Sequence, residues 1–333
     1  MKDRFTNPSA AILTTLAKGF EAPEITLQFD DMAAIKPAEL KKINKLCQTY
    51  QDRINVRFYG MYGQEEQFDA QVLVHLPDVT NLTINCLNAV LNPECLYQLS
   101  HLRHLDFSPY LWTDVEFLQH FAHPEQFMSL EFRDIRNQKL NMQALTRFPN
   151  LTSLVLWGQG KGIESIKSLK QLKKLQLRKF PHLDLSILNN LHQLEELFLY
   201  SGAQDNLEAI QALPIHTLKI DGIRGLRSLG ELQRFGLLKN LIIENQGQLA
   251  EIDFTNCQHL QIVSLRKLKG LQRLKNIQYL THLKKLYLQA VSLEFFTEVA
   301  PFLPSSLQCC SVYSLATKEN KAINQFLKEK GLK

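Results

Sequence analysis

Residues 172–199 read LKKLQLRKFPHLDLSILNNLHQLEELFL, and the phrase L-x-x-L-x-L occurs in them twice, at Leu172/Leu175/Leu177 and at Leu194/Leu197/Leu199. It recurs in both directions at a step of about 22 residues, the signature of stacked units that cannot bury their apolar faces alone. Upstream stands Leu151/Leu154/Leu156. Downstream come Ile215/Leu218/Ile220, Leu238/Leu241/Ile243, Leu260/Val263/Leu265 and Leu283/Leu286/Leu288. More degenerate copies are Val79/Leu82/Ile84, Leu102/Leu105/Phe107, Phe127/Leu130/Phe132 and Leu307/Cys310/Val312. Together they make about eleven units across residues 76–315, each one supersecondary element that must stack on its neighbours.

Inside a unit, the alternation L-x-L is the period-two mark of a half-buried strand. The stretch after it changes period. Ile163, Ile166, Leu169 and Leu172, like Leu185, Leu188, Leu191 and Leu194, are apolar at every third position. That step predicts a 3₁₀-like return, since an α-helical stripe alternates threes with fours. Longer units leave room for a helical turn, and Thr113-Asp114-Val115-Glu116 before Phe117 predicts a capping box.

On these phrases the chain resembles the leucine-rich repeat superfamily, nearest the 22-residue type of internalin-like bacterial proteins and protein phosphatase regulatory subunits. The resemblance covers residues 76–315 and implies an α/β solenoid. Its expected form is a horseshoe with a parallel concave sheet and a convex side of 3₁₀ and short helical turns. One departure is plain. The family's asparagine, three residues after the last strand leucine, is replaced here by Leu87, Tyr110, Ile135, Phe180, Ile223, Leu268, Val291 and Leu315, and elsewhere by Gln159, Gly202 and Gln246. Buried backbone groups need partners all the same, so differently built turns are expected.

The ends read as caps on one elongated domain. Residues 1–75 predict strand Ile25–Phe29, an amphipathic helix from Pro37 bearing Leu40, Ile43, Leu46, Cys47 and Tyr50, and a strand Ile54–Phe58. Residues 316–333 predict a helix N-capped by Thr317, carrying Ile323, Phe326 and Leu327 and stopping at Gly331. Terminal repeats need such covers.

A chain of 333 residues with 45% hydrophobic and 21% charged residues, and without a long apolar run, is expected to be soluble and folded. The apolar patch near the N-terminus is broken by Thr14 and Thr15, and no small-x-small cleavage site follows. A cytoplasmic location without membrane attachment is expected. Cys47, Cys86, Cys95, Cys257, Cys309 and Cys310 lack the C-x-x-C spacing of zinc or redox sites and suit a reducing compartment. A net charge of +5, without a concentrated basic track, argues against nucleic acid as partner.

Strand side chains alternate, so the leucines fix which residues face outward. Three outward rows start at Asn81, Thr83 and Asn85 and recur in every unit. Most members are polar. Val155, Trp157, Phe198 and Tyr200 are the exceptions, with Arg178 placed between Trp157 and Tyr200 and with Asp221 and Glu244 farther along the same row. Large aromatics with arginine mark interface anchors, and mixed charge around them favours a protein over a polyanion. These seven residues are the candidate partner-binding site.

Catalytic constellations do not assemble. His120 and His123 lack a third ligand of metal-site type, His104 has only Asp106 near it in sequence, and Gly158, Gly160 and Gly162 lack nucleotide-loop spacing. No catalytic residue, metal or cofactor is expected. The reading is a non-catalytic protein that grips a folded partner on its concave face. Its most concrete form is an inhibitor, such as an immunity protein neutralising a toxin, suggested by a lone chain without an attached enzymatic or anchor domain. The alternatives are a delivered effector that holds a host protein, and an enzyme with its site in the N-terminal 70 residues.

Overall fold

The computed structural model describes residues 3–60, 67–133, 140–158, 161–180 and 183–332. Two compact units divide the chain, Met1–Leu172 and Lys173–Lys333.

The first unit holds strands β1 (Asp3–Thr6), β2 (Ile25–Phe29), β3 (Ile54–Gly60), β4 (Asn81–Cys86), β5 (His104–Phe107), β6 (Ser129–Phe132) and β7 (Ser153–Trp157). Each pairs in parallel with the next in sequence. The N-terminal region thus adds three strands to the sheet that the repeats build. β2, helix α2 (Pro37–Tyr50) and β3 stand where the sequence predicts them, and α2 buries Leu40, Ile43, Leu46 and Cys47. Ahead of them, β1 and helix α1 (Ala10–Leu16) form a further unit in which Asp3 pairs with Ile25. Ser9 caps α1 by accepting the Ile12 N–H, and Leu13 and Leu16 are buried.

The second unit holds β8 (Lys174–Arg178), β9 (Glu196–Tyr200), β10 (Thr217–Asp221), β11 (Asn240–Glu244), β12 (Ile262–Arg266), β13 (Lys285–Gln289) and β14 (Cys309–Tyr313). These too are parallel and in sequence order. Leu175, Leu197, Leu218, Leu241, Val263 and Leu286 are registered partners, strand after strand, and all are 0% exposed. Cys310 closes the column beside Leu286, whereas Cys309 points the other way and is half-buried.

The returns are mainly 3₁₀, as the three-residue step predicts. Ala70–His75, Met142–Arg147, Ile163–Ser168 and Leu185–Asn190 each make two turns. Asp69, Asn141 and Asp184 start three of them, each side chain accepting the backbone N–H two residues on. True α-turns occur at α3 (Glu94–Tyr97) and α4 (Leu293–Val299). Two expected caps are corrected. Thr113 begins no helix: Asp114 accepts the Glu116 N–H, and only the short 3₁₀ segment Phe117–Gln119 follows. Thr317 lies inside helix α5 (Thr317–Glu329), whose N-cap is Ala316. No side chain caps α5; instead the chain leading into it is held, the Ser314 hydroxyl accepting the Ala316 N–H and the Asn320 side-chain carbonyl accepting the Ser314 N–H.

Without the asparagines, the turns are held in another way. In the second unit the residue after each of β8 to β13 adopts left-handed backbone: Lys179, Ser201, Gly222, Asn245, Lys267 and Ala290, with φ between 51° and 63°. Its N–H then donates to the last strand residue of the following repeat, as from Lys179 to Tyr200 O at 3.0 Å, Ser201 to Asp221 O at 2.9 Å and Lys267 to Gln289 O at 2.9 Å. The backbone extends its own ladder, so the side chain one position later is free to be apolar. Phe180, Ile223 and Leu268 are buried at that position, while Leu87, Tyr110 and Leu315 are exposed. Ile135 and Gln159 lie outside the described residues. Gly202 leaves room for the Phe180 ring, since a Cβ there would sit 2.5 Å from it. On the opposite edge of the strands, polar side chains reach back to the preceding repeat: Asn150 donates to Glu125 O at 2.6 Å, and Ser306 donates to Leu280 O and Leu283 O at 3.0 Å each.

Candidate functional site

Of the seven residues singled out from sequence, Val155 and Trp157 belong to the first unit. Arg178, Phe198, Tyr200, Asp221 and Glu244 belong to the second. The grouping therefore divides between the two units.

In the second unit, register places Arg178, Tyr200, Asp221, Glu244 and Arg266 side by side across five strands. Phe198 lies two residues before Tyr200 on the same face of β9. Both rings are half-buried. The cause is a feature that residue order alone did not expose: each ring carries a lysine. Lys174 Nζ stands 5.3 Å from the Phe198 ring centroid and 3.1 Å from the Glu196 carboxylate. Lys219 Nζ stands 5.4 Å from the Tyr200 centroid and 3.7 Å from Glu244, which also meets Arg266 at 3.8 Å. Asp221 accepts the Asn245 amide at 2.7 Å. A cation over a ring face lowers the cost of an aromatic on a wetted sheet. Farther along, Ile242, Ile262 and Tyr287 are half-buried apolar members of the outward rows.

In the first unit, Trp157 is covered in the same manner by Arg133, 5.2 Å above its ring, and Arg133 is ion-paired with Glu131. Val155 faces outward by register with Glu131, yet it is only 7% exposed. The rest of this face is a polar mesh. Arg57 stacks 4.5 Å over Tyr59 and donates to Asn85 and Gln28. Beside it, a hollow of about 380 Å³ is lined by polar side chains that include Asp52, Asn81, His104, Asp106 and Glu131. Burial pushes the Asp106 carboxyl above its ordinary value, against the pull of the Ser108 hydroxyl, and lowers the His104 imidazole.

Asp106 therefore holds a proton more readily folded than unfolded, and its charge costs stability at neutral pH. That cost disappears as pH falls from the raised value through 3.8, where the unfolded carboxyl also protonates. Asp106→Asn should be more stable than the parent at pH 7 and no more stable at pH 3. Urea titrations at both values check this, and equal stability at pH 7 would refute it.

His120 and His123 face different acids, Asp114 at 3.1 Å and Glu125 at 3.8 Å. Among the described residues no group of three or more His, Cys, Asp or Glu side chains could hold a metal ion. Nor is any helix among them long and apolar enough to cross a membrane.

No protein-family model matches the sequence, and no curated protein matches it. Solved structures do resemble it. An internalin from Listeria monocytogenes has a TM-score of 0.51 at 15% identity, over 86% of this chain and 79% of that one. A chain of the Toll–Spatzle complex of Drosophila also gives 0.51, at 13% identity over 97% of this chain and 48% of that one, about half its length. A leucine-rich repeat protein from Leptospira interrogans aligns over 99% of this chain and 92% of its own at a TM-score of 0.44 and 15% identity. At such identities the likeness is one of fold. With parallel strands in sequence order, a continuous leucine column and 3₁₀ returns in each unit, the chain is a leucine-rich repeat solenoid.

Proposed function

We propose that the chain is a non-catalytic binding protein that grips a folded protein partner on the open face of its parallel strands, needing no cofactor. The observation that carries this is the placement of Phe198 and Tyr200 on an outward face whose other members are mostly polar and of mixed charge. Aromatic side chains set among charges are what interface anchors look like, and Arg178, Asp221 and Glu244 would orient the partner around them. A similar fold occurs in a chain of the Toll–Spatzle complex, a protein in complex with another. Trp157 with Val155 is the corresponding candidate of the first unit. The narrowest form of this reading is a cytoplasmic inhibitor, an immunity protein that covers a toxin.

The test is titration of a partner, isolated by crosslinking in the native extract, against purified variants whose circular dichroism matches the parent. Tyr200→Ala and Phe198→Ala should each weaken binding by about 2 kcal/mol or more, roughly thirtyfold. Lys167→Ala, on the return side, should bind like the parent. Parental affinity in both aromatic variants would refute the open face as the site. Protection from a toxin encoded beside the gene would support the inhibitor form, and its absence would remove that form alone.

A further inference from the structure

The two candidate anchors are not bare. Lys174 covers Phe198 and is steadied by Glu196; Lys219 covers Tyr200 and is steadied by Glu244. Ammonium–ring contacts and half-exposed ion pairs of this kind are weak and salt-screened, so a better carboxylate can draw either lysine away. The surrounding charge says which way that exchange runs. Residues 173–333 contain 21 Lys+Arg against 14 Asp+Glu, whereas residues 1–172 contain 17 against 19. On the open face of the second unit all three acids are already engaged: Glu196 by Lys174, Glu244 by Lys219 and Arg266, and Asp221 by Asn245. Lys285, exposed in the first outward row, makes no ion pair among the described residues. The outward rows of this unit thus hold five cationic side chains, Lys174, Arg178, Lys219, Arg266 and Lys285, against three carboxylates.

Building on the open-face reading above, we infer that the partner of this surface is an acidic protein segment carrying apolar side chains between its carboxylates. Its carboxylates take Lys174 and Lys219 from Glu196 and Glu244, and its apolar groups settle on the rings so uncovered. The lysines act as lids over the two aromatics until a partner of the right charge arrives, and they link charge recognition to apolar contact. A nucleic acid suits the face less well. Glu196, Asp221 and Glu244 stand between the cations and would meet a continuous phosphate backbone with like charge.

The test is selection of a displayed random dodecamer peptide library on the immobilised full chain. Two double variants accompany it, Phe198→Ala/Tyr200→Ala and Lys174→Met/Lys219→Met, each checked for parental circular dichroism. Enriched peptides should combine Asp or Glu with Phe, Leu or Tyr. Both double variants should weaken them by about tenfold or more, and the lysine variant should also flatten the salt dependence. Enriched peptides that are basic or uncharged, yet still lost in the aromatic variant, would overturn the acidic partner and leave the open-face reading standing. No enrichment, or peptides indifferent to both variants, would overturn the acidic segment, while the open-face reading stands or falls on the partner titration. A thymidine dodecamer that outcompetes the enriched peptides would show the ligand to be a nucleic acid and likewise overturn the inference.

Discussion

Leu218→Ala is expected to destabilise the protein by about 2–5 kcal/mol, read as a lower urea midpoint at unchanged slope. Leu218 is 0% exposed and registered between Leu197 and Leu241, which are equally buried. The removed atoms leave a void whose walls can close only by shifting strands that are pinned on both sides by the parallel ladder. The site therefore cannot collapse cheaply, which places the cost toward the upper part of that range. Leu315, 76% exposed, provides the contrast: Leu315→Ala should be nearly neutral. A Leu218→Ala cost below 1 kcal/mol would show that the column does not carry the fold.

Arg234 is the second sensitive point. Its guanidinium donates to Leu207 O at 3.0 Å, Leu229 O at 2.7 Å and Glu231 O at 2.6 Å, bracing one return against the preceding one. It also lies 4.6 Å over the Phe235 ring, and burial lowers its pKa below the ordinary guanidinium range. Removing a charged donor leaves these carbonyls poorly satisfied, so Arg234→Ala should cost roughly 2–3 kcal/mol. Arg234→Lys should recover less than half of that, because an ammonium cannot reproduce the planar fork that reaches three oxygens. Urea unfolding of the two variants side by side checks this. A lysine variant as stable as the parent would show that charge alone suffices. Arg53, which donates to Phe20 O and Ala22 O, and Arg147, which donates to Phe121 O, brace the first unit in the same way.

The parts of this fold that were legible in the sequence are those that periodicity controls. The spacing of Leu175, Leu197, Leu218 and Leu241 fixed strand direction, register and core at once, because a one-residue slip would turn every leucine outward. The step of three through Leu185, Leu188 and Leu191 specified the 3₁₀ return for the same reason. What escaped depended on single geometric events. β1 presents only one apolar residue, Phe5, so alternation gave no signal, and its partner strand supplies the order instead. Thr113 and Thr317 have the composition of caps, but Asp114 takes the Glu116 N–H in place of Thr113, and α5 starts at Thr317 without a side-chain cap. In the candidate site the outward rows placed Phe198 and Tyr200 correctly on the open side. Their lysine covers went unseen, because Lys174 and Lys219 approach diagonally from adjacent strands and occupy other rows. Val155 was legible in direction but not in burial, which the neighbouring strands decide.

The left-handed residues that follow β8 to β13 bear on how such a surface can change over generations. Lys179, Ser201, Asn245, Lys267 and Ala290 hold a backbone shape that valine, isoleucine and threonine tolerate badly. Drift at those positions is confined to a short vocabulary of side chains. Their immediate predecessors, Arg178, Tyr200, Glu244, Arg266 and Gln289, stand on extended backbone that accepts nearly any residue. Constraint and licence alternate one residue apart. A lineage can exchange the whole outward row, and with it the identity of what is held, while the neighbouring hinge keeps every strand in step.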